Sequence, residues 1–492
     1  MAAESGAEPA AVATPVAPST YRPRYIDIGI NLADPIFRGI YHGTQRHPDD
    51  LSAVISRAKE VGCQKLIVTG SDLQSSRDAL EIAKEYPGTV YTTAGIHPCS
   101  SAIFGSNPSS GNGGSSDAAN AEPGESEPGP EPQPDAARTA SIISELEALI
   151  ASARNPPSSP TSTSPNQEKK KKKKSPLVAL GEFGLDYDRL HYSPRALQLH
   201  AFGAQLDLAL RLSPPLPLFL HSRAAHGDFV SLLKAKFGSR LEGLLGRGAG
   251  AVVHSFTGTA AELRELLDLG LHIGVNGCSL KTAENCDVVR GAVGLGKIML
   301  ETDGPWCEIR PSHEGWRYLV EAAKHQQQSA AAGAAAADSA GNAGPPVDLV
   351  APTPPSAATP EFTTAPSETP SGTSTPASAS ASGATVALNT SAIPAQKQKQ
   401  QQKSRKKQPP PKKKEPEVPE RFPAVKKEKW AEGAMVKSRN EPCMIERVAT
   451  AVAGIKGVAV EELCEAAWRN TVAVFDVLEE GEEEKGKGEE GQ

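Results

Sequence analysis

The sequence predicts an α/β fold, a TIM-type (β/α)₈ barrel that carries long disordered insertions. Eight short apolar runs alternate with segments of helical spacing, which is typical of a parallel sheet covered on both faces. Four of these runs end on a side chain that can bind a metal. Without the low-complexity segments, about 280 residues remain, which is close to the size of one such barrel.

The strands and helices follow one another in a regular order. We predict strands at residues 24–29, 65–70, 89–98, 177–181, 216–221, 250–255, 271–277 and 297–303. We predict helices between them at residues 48–63, 73–86, 141–153, 194–212, 226–237, 259–270 and 284–293. The helices that should follow the eighth strand appear only at 443–455 and 460–475. A long insertion therefore separates them from the strand.

Composition divides the chain into one barrel and several low-complexity segments. Segments rich in Pro, Ser, Ala, Gly, Gln and Lys bury too little apolar surface to offset the entropy of ordering. We therefore predict a disordered N-terminal segment at 1–20, a low-complexity insert at about 101–175, a low-complexity basic insert at 326–429 and an acidic tail at 479–492. The barrel would comprise residues 21–325 and 430–478, and the helix at 141–153 would stand between two parts of the first insert.

The formal net charge of −6 conceals blocks of like charge. Lys169 to Lys174 form an unbroken run, and residues 397–429 are rich in lysine. These lysine-rich inserts either bind nucleic acid or import receptors, or are solvated spacers. Seven cysteines without a CxxC pair indicate reduced thiols and a cytoplasmic or nuclear location. No apolar stretch is long enough to span a membrane, and the oligomeric state is left open.

Glu182, His221, His254 and Asp303 lie at the ends of four predicted strands. One such residue alone is more often a structural member of a buried hydrogen-bond network. Four together at the face where barrel active sites form favour a functional site. Imidazole and carboxylate suit zinc or another first-row divalent ion, and carboxylate with water also suits magnesium or manganese. The pattern predicts a metal-dependent hydrolase in which Glu182 bridges the ions and Asp303 accepts a proton from water.

Five further residues are secondary candidates for the same site. Asp27 and Asn31 follow the first strand, His97 follows the third, and Asn276 ends the seventh. Arg223, two residues after His221, could clamp a phosphate with two hydrogen bonds or pair with a surface acid. The two asparagines could equally be turn formers.

Motifs along the ordered parts resemble one known family. The matching segments are IDIGINLADPIFRGIYHGTQRHPDDL (26–51), IVTGSDLQSSRDAL (67–80), TAGIHP (93–98), ALGEFGLDYDRL (179–190), FLHSRAAH (219–226), VVHSFTGT (252–259), IGVNGCSLKTAEN (273–285), LETDGPWC (300–307) and SRNEPCMI (438–445). They resemble the TatD family of metal-dependent deoxyribonucleases. The resemblance implies a TIM barrel that binds two divalent cations, with Mg²⁺ expected and Zn²⁺ or Mn²⁺ as alternatives. It also implies a DNase with exonuclease character.

Carried onto this sequence, the resemblance makes Glu182, His221, His254 and Asp303 the metal ligands. It makes His97 a substrate-binding residue, and we expect Arg223 to bind substrate with it. Gly29 and Asn31 stand where many relatives in the wider superfamily have an H-x-H pair, which predicts a more weakly held metal at one site.

Phe183 replaces the cysteine of a GECGLD motif, and we expect little effect from that change. Two alternatives to a DNA substrate remain at this point. One is a hydrolase of amides or esters on the same barrel, because fold alone does not decide the substrate. The other is an inactive barrel that binds nucleic acid, whose DNA binding would depend steeply on salt.

Overall fold

The computed structural model describes residues 21–106, 132–155, 174–291, 293–341 and 418–479. By its internal contacts the chain forms two units, residues 1–329 with 416–492, and residues 330–415. The predicted disordered segment 1–20, most of the inserts 101–175 and 326–429, and nearly all of the acidic tail lie outside the described residues. The same holds for five of the six residues in the lysine run, all except Lys174.

Eight parallel strands form one sheet in which each strand lies beside the next in chain order. They are β1 (Tyr25–Ile30), β2 (Cys63–Val68), β3 (Val90–Ala94), β4 (Leu177–Asp186), β5 (Leu218–Arg223), β6 (Ala251–Val253), β7 (His272–Val275) and β8 (Ile298–Leu300). The register of β4 and β5 sets Gly184 opposite His221 and Asp186 opposite Arg223. The predicted (β/α)₈ architecture is confirmed.

The sheet curls round so that β8 meets β1. The Asp303 N–H donates to Gly29 O at 2.7 Å, and the Asn31 N–H donates to Gly304 O at 2.9 Å. The fully buried Asp27 carboxylate accepts hydrogen bonds from the backbone N–H and the hydroxyl of Thr302. The seam between the first and last strands therefore lies immediately beside the predicted site residue Asp303.

Helices cover the outside of the barrel. They are α1 (Leu51–Glu60), α2 (Leu73–Glu85), α3 (Ala136–Arg154), α4 (Arg195–Arg211), α5 (His226–Phe237), α6 (Glu242–Leu245), α7 (Ala260–Asp268), α8 (Ala283–Gly291), α9 (Trp316–Gly341), α10 (Ile445–Lys456) and α11 (Val460–Phe475). Capping boxes begin α2 at Asp72 and α7 at Thr259, where side chains satisfy the first free N–H groups. No helix in the described ranges is both long and apolar enough to cross a membrane.

The interior of the barrel is filled by alternate residues of the strands, as the two-residue period of a β-strand requires. Ile28, Ile67, Phe219, Val252 and Met299 belong to this inner cluster and are fully buried. Residues of α11 pack against the same cluster. A larger cluster lies between the strands and the surrounding helices. Apolar packing thus supports the barrel from within and from outside.

Two boundaries of the predicted basic insert differ in the structure. Helix α9 continues beyond residue 325 to Gly341, because the alanine-rich sequence that suggested low complexity also has high helix propensity. At the other end, Ala424–Val425 pairs with Met435–Val436, and Phe422 packs on the barrel core. The residues that precede position 430 are therefore part of the folded unit from 418 onward.

Candidate metal centre

The carboxyl ends of four neighbouring strands bring a carboxylate and three imidazoles together. Glu182 lies within β4, His221 lies within β5, His254 directly follows β6, and His97 lies three residues after β3. Oε1 of Glu182 is 2.9 Å from His221 Nδ1 and 2.7 Å from His254 Nε2. His97 Nε2 is 3.3 Å from the same oxygen. Glu182 is thus the centre of the cluster.

A hydrogen bond to the second ring nitrogen of His97 fixes the orientation of its side chain. Its Nδ1 accepts a hydrogen bond of 3.1 Å from the Cys99 N–H, where it caps the short helix Pro98–Phe104. Because Nδ1 is an acceptor in this arrangement, the neutral ring carries its proton on Nε2, which faces Glu182. The structure places His97 against the central carboxylate, and its contact with substrate stays a prediction.

Burial and mutual attraction set the charges of the cluster. Burial alone would raise the pKa of Glu182, but the neighbouring His254 and His97 hold that pKa well below its ordinary value. Burial alone would lower the pKa of His254, but the carboxylates of Glu182 and Glu301 raise it well above its ordinary value. The structure therefore favours an ionised Glu182 with positive charge beside it, and a bound cation could take the place of imidazole protons.

The residues present fit a divalent metal ion. Ligand atoms of His97, Glu182 and His221 all lie within 4.8 Å of one another, and His254 Nε2 lies 3.2 Å from His221 Nδ1. Carboxylate and imidazole together form a donor set for zinc or another first-row ion. Next to this donor set, the buried atoms His254 Nδ1 and Glu301 Oε2 make no hydrogen bond but lie 3.5 Å from each other as an ion-pair contact.

Asp303 lies at the seam between β8 and β1 and is held by different neighbours. Its carboxylate accepts hydrogen bonds from Asn31 Nδ2 and from Cys307 Sγ, each at 3.2 Å. Its backbone has φ 52°, in the left-handed region that a residue other than glycine occupies at a cost. Asn31 is itself fixed by the Thr69 hydroxyl, which donates to its Oδ1 at 2.6 Å. The secondary candidate Asn31 therefore positions Asp303.

Two cationic side chains lie near Asp186, beside the cluster around Glu182. Arg223 ends β5, in register with Asp186, and its side chain is partly exposed. Arg189 Nη1 lies 3.5 Å from Asp186 Oδ2. Burial would raise the pKa of Asp186, but its hydrogen bond to His221 and the charges of both arginines lower it. The predicted phosphate-binding residue Arg223 thus has a second arginine, Arg189, near the same carboxylate.

Two acids contact the histidines although no role in the site was predicted for them. Asp186 Oδ2 lies 3.1 Å from His221 Nε2, on the side of the ring opposite Glu182. Glu301 Oε2 lies 3.5 Å from His254 Nδ1. Asp186 stands four residues after Glu182 in GEFGLD, and Glu301 stands two residues before Asp303 in ETD; that proximity was the available signal. Such acids orient histidine ligands and fix their tautomers.

Glu301 also explains the glycine of the first-strand motif. A Cβ at Gly29 would stand 2.5 Å from Glu301 Oε2, so a larger residue would collide with that carboxylate. Glu301 Oε1 accepts hydrogen bonds from the Ser255 N–H at 2.5 Å and from Asn276 Nδ2 at 3.2 Å. In this chain a buried carboxylate from β8 occupies the space that a side chain at position 29 would fill. The weaker metal site predicted from Gly29 and Asn31 stays a prediction.

Comparison with known proteins shows the family of this chain. The family model described as TatD related DNase matches residues 26–332. The chain is 34% identical over 449 residues to the deoxyribonuclease Tat-D of Schizosaccharomyces pombe, covering 91% of this chain and 95% of that one. It is 30% identical over 297 residues to a 3'-5' ssDNA/RNA exonuclease TatD of Edwardsiella piscicida, covering 59% and 85%.

Among solved structures, an amidohydrolase from Saccharomyces cerevisiae described as uncharacterized matches with TM-score 0.59 and 27% identity, covering 92% of this chain and 100% of that one. A TatD family hydrolase from Entamoeba histolytica matches with TM-score 0.56 and 21% identity, covering 93% and 99%, and shows the same fold. Sequence, fold and site geometry agree. The chain belongs to the TatD-related DNase family.

Proposed function

We propose that this protein is a metal-dependent phosphodiesterase that degrades DNA from an end. The observation that carries the proposal is the convergence of three imidazoles on the carboxylate of Glu182 at the carboxyl end of a parallel barrel. Relatives named deoxyribonuclease and 3'-5' exonuclease support the same reaction. Nothing in the comparisons favours an amide or ester substrate, or an inactive barrel that only binds nucleic acid.

The proposed cofactors are two divalent metal ions, with Mg²⁺ as the expected ion and Zn²⁺ or Mn²⁺ as alternatives. Glu182, His221, His254 and Asp303 would hold them, while the Nε2–H of His97 would face the Glu182 carboxylate rather than bind a metal. Such ions supply Lewis-acid activation of the phosphodiester and of the attacking water. Asp186 and Glu301 would keep His221 and His254 in the orientation that binding requires.

Side chains of the protein would carry out the remaining steps. Asp303 would orient the attacking water and accept its proton, since Asn31 and Cys307 hold its carboxylate in place. Arg223 and Arg189 would bind a nonbridging phosphate oxygen, because a guanidinium matches phosphate in charge and geometry. These roles place the phosphate between Asp303 and the two arginines.

The test is degradation of end-labelled single-stranded and double-stranded DNA in the presence of Mg²⁺, Mn²⁺ or Zn²⁺. The wild type should shorten the DNA from one end, and EDTA should abolish the reaction. Asp303→Asn should lose activity by about 100-fold or more, because the proton acceptor is gone. Asp188→Asn is the matched control, since Asp188 is an exposed aspartate near the same mouth and should tolerate the change.

Absence of cleavage by the wild type with all three metals would refute the nuclease proposal. Equal activity of Asp303→Asn and Asp188→Asn would refute the role of Asp303 while leaving the nuclease itself in place. Loss of activity in both variants would point to unfolding, which circular dichroism would reveal.

A further inference from the structure

Among the described residues, the exposed large apolar side chains lie in loops at the mouth of the barrel. Within the described residues, three large apolar side chains are exposed: Ile103 at 37%, Leu190 at 42% and Trp306 at 45%. Each belongs to a loop that leaves the carboxyl end of a strand, namely β3, β4 and β8. Single exposed apolar side chains are common on protein surfaces, so exposure by itself does not mark a site. What distinguishes these three is that all lie in loops on the face that carries the metal centre.

Trp306 is held at its backbone while its side chain stays partly open to solvent. Its N–H donates to Asp303 O at 3.1 Å, which closes a turn. Its carbonyl accepts a hydrogen bond of 2.7 Å from Asn440 Nδ2. Such a turn brings the Cα atoms of residues 303 and 306 to within about 7 Å of each other. The backbone that carries the indole is therefore one turn away from Asp303.

Cationic groups adjoin the apolar ones at this mouth. Leu190 directly follows Arg189, whose side chain is 44% exposed, and Arg223 ends the neighbouring strand β5. β3 and β4 lie well away from β8 in the order of the barrel strands, so Trp306 and the pair Leu190 and Arg189 stand apart across the opening. Alternation of cations with flat or apolar surfaces is how proteins bind single-stranded nucleic acid, through its phosphates and its base faces.

We propose that Trp306 stacks on an unpaired nucleobase next to the scissile phosphate, and that Leu190 and Ile103 contact a further part of the same strand. This inference rests on the proposed function. It adds a residue that contacts the base: stacking requires an unpaired base, because the faces of paired bases inside a duplex are covered by their neighbours, and a relative is named a 3'-5' ssDNA/RNA exonuclease. A protein surface or a second copy of the chain would be the competing occupants of these residues.

The test compares Trp306→Ala, Trp306→Phe and Trp306→Leu with the wild type on a single-stranded oligonucleotide. Loss of one stacked base weakens binding by about 5- to 150-fold, so Trp306→Ala should raise KM by an amount in that range and leave kcat nearly unchanged. Trp306→Phe keeps a flat ring and should retain most of the affinity. Trp306→Leu keeps apolar area without stacking and should fall between them.

An abasic substrate identifies the partner of the ring. Removal of the base at the terminal or the penultimate nucleotide, tested in turn, should raise the KM of the wild type at one of the two positions. At that position Trp306→Ala should add no further loss, because both changes delete the same contact. Independent, multiplicative losses at both positions would overturn the proposal, as would an unchanged KM in Trp306→Ala.

Failure of the proposed function is distinguishable from failure of this inference. If the wild type cleaves no DNA, anisotropy of a labelled single-stranded oligonucleotide still measures its affinity for the wild type and for Trp306→Ala. Equal affinities there, or no binding by either, would overturn the stacking role. Weaker binding by Trp306→Ala, with a concentration-independent mass in solution, would support it and would exclude a second copy of the chain as the occupant.

Discussion

The side chain of Asn440 fixes the loop that carries Asp303. Its Nδ2 donates to Thr302 O at 2.8 Å and to Trp306 O at 2.7 Å, and the residue is 3% exposed. These two carbonyls flank Asp303 on either side in sequence. We predict that Asn440→Ala releases the loop, so that the carboxylate of Asp303 no longer holds its working position.

The cost follows from the two hydrogen bonds lost. A buried carbonyl left without a donor costs about 1–3 kcal/mol, and a partly solvated one costs less. The bond to Thr302 O is buried and the bond to Trp306 O is partly buried, so together they predict a loss of about 2–4 kcal/mol. The Oδ1 of Asn440 has no partner in the described chain, so its removal adds nothing to this cost.

The effect on the reaction should exceed the effect on stability. Displacement of a reacting group by about 1 Å costs on the order of 100-fold in rate. We therefore expect kcat to fall by about 10- to 100-fold, measured per folded molecule at a temperature well below the midpoint of unfolding.

Asn470 provides a matched control at the opposite end of the same strand. Its Nδ2 donates to Leu295 O at 2.7 Å and to Ile298 O at 2.8 Å, at the amino end of β8. Asn470→Ala removes two hydrogen bonds of the same kind, so it should lose a similar or slightly smaller free energy of unfolding. Its kcat should stay within about twofold of the wild type, because it does not touch the loop of Asp303.

Denaturant unfolding and steady-state nuclease kinetics on both variants test whether Asn440 positions Asp303. If Asn440→Ala and Asn470→Ala lose the same stability and keep the same kcat, the claim that Asn440 positions Asp303 is refuted. A fall in kcat for both variants in proportion to their instability would refute it as well.

Three other predictions concern pH dependence, metal affinity and the free energy of unfolding. Burial raises the pKa of Asp27 to about 8 in the folded state from 3.8, so folding favours its protonated form and this contribution to stability is lost as pH rises towards 8. Relative to the wild type, the free energy of unfolding of Asp27→Asn, measured in urea titrations, should rise by about 1.4 kcal/mol for each pH unit between pH 4 and pH 8. A difference between the two proteins that does not change with pH would contradict this. Asp186→Asn should weaken metal affinity by about 10- to 100-fold in calorimetry, whereas the nearby exposed Asp188→Asn should not. Arg439→Met removes one of the two buried arginines that pair with Asp50 and Glu441 and leaves only Arg57 beside both carboxylates. It should cost about 3–5 kcal/mol of unfolding free energy, against less than about 1 kcal/mol for Lys84→Met in an exposed ion pair; equal losses would refute the burial argument.

The local pattern of the chain was sufficient for the strands and for most helices, but it predicted no helix between the eighth strand and residue 443, where the structure has α9 from Trp316. Apolar runs of β-rich residues predicted all eight strands, because strand and helix periodicities are properties of short windows. The alanine-rich end of α9 was assigned to an insert, since its composition concealed its helix propensity. The start of the folded segment at residue 418 was also missed, because its short strand pairs only with residues 435–436.

The candidate site was only partly accessible from sequence. Glu182, His221 and His254 were identified from their positions at strand ends, and the structure brings them within hydrogen-bond distance. The contacts of Asp186 and Glu301 with the histidines were not identified. Which ring nitrogen faces which carboxylate depends on side-chain packing across neighbouring strands, and no window of sequence contains both partners.

The sequence alone therefore determined the barrel and its family, and it predicted a set of candidate metal-binding residues at the strand ends. Only the tertiary structure decided how that set is arranged. Asn31 donates a hydrogen bond to Asp303, which is 272 residues away in sequence, and Asn440 donates one to Thr302, which is 138 residues away. These contacts exist because β8 closes against β1 and the chain returns to that seam after its long insert. Closure of a barrel is a property of all eight strands together, whereas periodicity is a property of each strand by itself.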